Sequence, residues 1–93
     1  MAFDMSTAAP MVMASDVEPG DAGLDLFALG LSHATGVGAE IDYVEAHKWF
    51  NIAAMRGDEE AKLRRQELTA MMTQTQVSAA QRAAREWLQR SAN

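Results

Sequence analysis

The groups in this chain that could do chemistry are two histidines, a run of acids and a scatter of cations. His33 and His47 are the residue type suited to proton transfer and metal binding near neutrality. A metal centre needs three or four converging ligands. His33 and Glu40 straddle a glycine loop, and His47 sits apart on the flank of a predicted helix, so no dense ligand cluster forms. Ser32 and His33 are neighbours in sequence, and adjacent helical residues do not face each other, so they make no nucleophile and base pair. No serine stands in the strand-to-helix context of a nucleophile elbow. Asp58, Glu59 and Glu60 open a predicted helix, where acids cap the chain and favour the helix dipole. Gly36-Val37-Gly38 resembles a phosphate loop only superficially, because no strand precedes it and the next cation is Lys48. Lys62, Arg64, Arg65, Arg82, Arg85 and Arg90 could form a basic face. Their density is low, Glu67 and Glu86 intrude, and no aromatic residue interleaves them for base stacking. They read as a solvated helical face, and weak nucleic-acid binding ranks last among the functions considered. We expect no catalytic residue, no cofactor and no metal.

The elements around these groups are short and few. Ninety-three residues make one domain at most. Hydrophobic content is 48%, yet alanine and methionine supply much of it and aromatics only 6%, so the core must be thin and closely apposed. So small a core is marginal, and a partner or self-association would supply missing burial. The absence of cysteine excludes disulfides and thiolate metal sites. No run approaches the ~20 apolar residues of a membrane span. The N-terminus lacks the basic start of a secretory signal and carries Asp4 there instead, so a cytoplasmic location is expected. Residues 1–45 hold eight acids and no Lys or Arg, whereas residues 46–93 hold eight bases and five acids. The acidic front repels nucleic acid and anionic membrane.

Residues 1–20 read as a flexible, acidic tail rich in Met and Ala, holding both prolines. Asp21 is the expected cap of a first helix over 22–35, with Leu24, Phe27, Ala28 and Leu31 on its apolar face. Gly36 and Gly38 end it. Asp42 with Glu45 is a capping-box pattern for a second helix over 43–56. Its apolar stripe is Tyr43, Ala46, Trp49, Phe50 and Ala53, and Gly57 stops it. Asp58 caps a third helix over 59–72, carrying Ala61, Leu68 and Met72. Thr73 with Gln76 opens a fourth helix to about Arg90, whose stripe is Val77, Ala80, Ala84, Trp87 and Leu88. No alternating strand pattern appears. The expected class is all-α, with about four helices in antiparallel pairs.

Leu29, Gly30, Gly36, Gly38, Asp42, Tyr43, Ala46, Trp49, Phe50, Ala53, Ala54, Gly57 and Ala61 form one unbroken register. This pattern resembles a SEL-one-like repeat, a relative of the tetratricopeptide repeat. His33 stands where that family usually has Tyr, and Ala39 where it usually has Val. A second copy would want Leu-Gly at 65 and 66, but the chain has Arg65-Gln66. The array is therefore expected to stop at one repeat over 21–61, closed by terminal capping helices over 62–93. The resemblance implies a non-catalytic adaptor or scaffold that binds another protein. A single repeat makes little groove. Val44, Ile52 and Met55 lie on the helical wheel opposite the Ala46/Trp49/Ala53 stripe. We expect them to be uncovered partner-binding anchors, with Met11 and Met13 as accessories. The alternative is a small accessory subunit that stabilises a larger assembly, membrane-bound or not, without inserting into the bilayer itself.

Overall fold

The computed structural model describes residues 25–91. They form four helices, α1 (Leu26–Thr35), α2 (Tyr43–Met55), α3 (Glu59–Thr69) and α4 (Gln74–Ser91). No strand occurs among the described residues. The predicted tail, including Met11 and Met13, lies outside them, as do Asp21 and Leu24.

Each helix start is set by a side chain that satisfies an otherwise orphaned amide. Asp25 is extended, and its Oδ1 accepts from Ala28 N at 3.0 Å, so α1 begins at Leu26 and not at residue 22. Gly36 ends it in the left-handed region at φ 84°, donating its amide to the Ser32 carbonyl. Asp42 caps α2 by accepting from Glu45 N at 3.1 Å. The reciprocal half of that predicted box does not form. Glu45 turns instead to Lys48 at 3.0 Å, and the Asp42 amide donates to the His33 carbonyl at 2.9 Å. Asp58 caps α3 through Ala61 N. Helix α3 ends at Thr69, which leaves Met72 in the following turn. Thr73 and Gln76 do form the complete box, each side chain bonding the other's amide.

Helix α2 is the hub, and the other three pack chiefly on it. One side turns Phe50 to α1, where its ring meets Phe27 at 5.5 Å between centroids. Gly30 of α1 faces the same ring, and an added Cβ would lie 2.5 Å from Phe50 Cδ1. A second side presents Trp49 to Trp87 of α4, edge to face at 5.4 Å and 82°. A third presents His47 and Asn51 to Thr69 and Arg65 of α3. Ala46, Ala61, Ala80 and Ala84 are all fully buried, and their small side chains let the backbones approach.

The buried residues of α1 are Leu26, Gly30 and His33, with Phe27, Leu29 and Leu31 only partly covered. The predicted face was therefore rotated, and Ala28 is exposed. The reason is chemical. Glycine and histidine do not count as apolar, yet Gly30 is where the Phe50 ring needs room. His33 is buried because its Nδ1 donates to the Glu40 carbonyl at 3.0 Å across the loop.

Candidate functional site

Two helices resting side by side on a third leave a furrow between them. Here the second half of α1 and the middle of α3 both lie on α2, and the furrow opens into a cleft of about 150 Å³. Leu31 and Ala34 form one wall, Leu68 the other, and Phe50 and Tyr43 the floor. Met71, 61% exposed, stands at its lip. The lining is overwhelmingly apolar. Its charged rim is ion-paired, with Arg64 3.3 Å from Glu60 and 3.5 Å from Glu67. The Thr35 hydroxyl is spent on the Leu31 carbonyl at 2.8 Å. Apolar space of this volume accommodates a ring the size of benzene. The cleft can therefore hold one large apolar side chain. A second depression, between α2 and α4, is broad and open, lined by Lys48, Ala83, Glu86, Gln89 and Arg90.

Ala84, Trp87 and Leu88 of α4 reproduce the spacing of Ala46, Trp49 and Phe50 in α2. The model of the Sel1 repeat matches residues 25–58 and again residues 70–93, more than half of the chain. The chain belongs to the Sel1 repeat family. No curated protein and no solved structure matches it. Sel1 repeats are helical, typically non-catalytic modules that generally mediate protein interactions.

The second match corrects the expectation that the Sel1 likeness stops after Ala61. Leu-Gly is missing at Arg65-Gln66, where Arg65 donates to Asn51 Oδ1 at 2.6 Å, and also at Glu67-Leu68, thirty-eight residues after Leu29-Gly30. The paired tryptophans were the available signal, two identical Ala-x-x-Trp spacings thirty-eight residues apart. The cleft between α1 and α3 exists because both rest on α2, and no pattern in the sequence marked it.

The predicted anchors do not come together. Ile52 is fully buried in the core, a correction to its reading as an uncovered surface residue. It lies one turn from both Lys48 and Arg56 on α2, and both of these reach α4. Lys48 lines the α2–α4 depression, and the Arg56 guanidinium sits 5.5 Å from the Trp87 ring. Helix α4 is thus the cover that the sequence reading did not supply. Val44 is half-buried and Met55 exposed. Eleven residues of helix separate these two, about 16 Å, with Lys48 and Asn51 between them.

The cations are dispersed in the same way. Lys48 is buried over the Trp49 ring at 4.2 Å while paired with Glu45. With Arg56, Arg64 and Arg65 also engaged, half of the basic side chains are committed to intramolecular partners. No group of three or more potential metal ligands gathers among the described residues. No described helix is long and apolar enough to cross a membrane.

Proposed function

We propose that this chain is a protein-docking module whose α1–α3 cleft receives one large apolar side chain from a partner. The supporting observation is the cleft itself, which is apolar, sized for a single ring, and bordered by an exposed methionine and an ion-paired rim. Methionine adapts its shape to what it meets. Burying one such side chain contributes about 1.5–3 kcal/mol. It is therefore the anchor of a larger interface in which the charged rim sets orientation.

Ala34→Arg tests the reading, because Ala34 is half-buried in the α1 wall and a long side chain there fills the opening. Partner affinity should fall about tenfold or more, the equivalent of one lost anchor, with helical circular dichroism unchanged. Affinity unaltered by Ala34→Arg would refute the assignment. Ile52→Asp could not serve this purpose. It would place an unpaired carboxylate in the core and unfold the protein.

Exposed apolar side chains away from the cleft, Val37, Ile41, Met55 and Leu63, favour a second reading. In it the chain is a stoichiometric subunit that covers several faces at once. Native mass measurement from source cells separates the two, because a subunit migrates only with its assembly.

A further inference from the structure

We propose that His47 is an acid-sensitive clasp between α2 and α3, and that protonating it loosens the α3 wall of the cleft. The inference rests on the docking reading only in giving that wall a purpose. His47 is 2% exposed, and its Nε2 lies 3.1 Å from Thr69 Oγ1. The hydroxyl of Thr69 has one proton and donates it to the Arg65 carbonyl at 2.8 Å. Thr69 Oγ1 can then only accept from His47, so Nε2 carries the imidazole proton. A neutral imidazole has one N–H, which leaves Nδ1 bare. Nδ1 is buried and has no hydrogen-bond partner.

A proton added to the ring therefore goes to Nδ1, where its own backbone carbonyl is the only acceptor at hand and makes no full hydrogen bond. The charge it brings faces Arg65 of α3, already held against Asn51. Carboxylates do not offset it. Among the described residues no acid forms an ion pair with His47, and Glu45, two residues before it, is paired with Lys48. Helix α1 carries no ionisable side chain but His33, which is bonded into the loop at Glu40. The charges of α4 nearest to α2, Glu86 and Arg90, flank Lys48 on another side. Burial first, and the Arg65 guanidinium second, hold the imidazole below its ordinary value of 6.5; its own backbone carbonyl opposes them to a smaller extent.

The sign of the pH effect follows. Above 6.5 the ring is neutral in the folded and unfolded chain alike, and the clasp is intact. As pH falls below that value the unfolded chain takes up the proton first. Stability is then lost until the folded imidazole itself titrates. The loss falls on the α2–α3 contact, because the new charge on α2 opposes Arg65 of α3, while the Nε2–H bond to Thr69 survives protonation.

The test uses the whole chain without any partner, so its failure leaves the docking reading standing. Histidine ring signals and amide exchange are followed by NMR between about pH 7.5 and 5. Exchange in α3, corrected for intrinsic rates, should rise about tenfold or more relative to α4, as expected for local opening. Its midpoint should coincide with the titration of His47. In His47→Gln, which keeps a donor toward Thr69 but cannot titrate, the α3 rates should no longer depend on pH. Acid loosening that persists in His47→Gln overturns the clasp, as does flat α3 exchange while His47 titrates. Should His47→Gln not fold, the wild-type midpoints decide: coincidence supports the clasp and separation overturns it.

Discussion

Trp87→Ala should remove about 3–5 kcal/mol of folding free energy, the range for deleting a large buried aromatic side chain. Trp87 is 2% exposed and packs edge to face on the fully buried Trp49. Edge-to-face pairs add about 0.5–1.5 kcal/mol beyond their buried area. The Arg56 guanidinium loses its ring partner as well. Natural domains are stable by only about 5–15 kcal/mol in total, so the variant should lose a large share of its stability. Urea unfolding followed by circular dichroism measures this directly. Trp87→Phe should cost less, since it retains a ring against Trp49. A loss under about 1 kcal/mol for Trp87→Ala, the typical effect of an arbitrary substitution, would mean that α4 does not cover α2 as described.

Gly30→Ala should also destabilise, although alanine is the better helix former by about 1 kcal/mol. The added Cβ would stand 2.5 Å from both Cδ1 and Cε1 of Phe50 and 3.0 Å from Cζ. Phe50 cannot retreat easily, being 1% exposed and packed against Phe27. Overpacking of this kind costs about 1–3 kcal/mol, which outweighs or cancels the helix gain. The sharper expectation concerns the pair. In the background of Phe50→Leu, where the ring is gone, Gly30→Ala should become neutral or stabilising. A double-mutant cycle by chemical denaturation gives the coupling. Strict additivity would show that the close approach of α1 to α2 at Gly30 does not exist.

These two sites mark how far the sequence could be read. The caps at Asp42, Asp58 and Thr73 were readable, because a capping residue acts on amides three positions away and needs no tertiary context. The stripe of α2 was readable for the same local reason, since Ala46, Trp49, Phe50 and Ala53 share one helical face. The face of α1 was not. Beside Leu26, its buried positions are a glycine chosen for the ring opposite and a histidine bonded across a loop, and hydropathy scores neither of these two as apolar. Ile52 illustrates a different limit. The wheel showed α2 apolar on two sides, but which helix covers the second side depends on the Trp49–Trp87 contact between distant residues. The cleft depended on more still, because the distance between α1 and α3 is set by how each rests on α2. Arg65 looked like a failed repeat position, and its partner Asn51 is fourteen residues away.

On the docking reading, partners seat an apolar side chain in the α1–α3 cleft. A photoreactive amino acid placed singly at Ala34, at Met71, or at Gln81 on the exposed face of α4, and activated in source cells, tests it most directly. Docking in the cleft predicts one shared cross-linked protein from Ala34 and Met71, absent at Gln81 and abolished at Met71 when Leu31→Arg is added. The same product from Gln81 and none from the two cleft positions would contradict it.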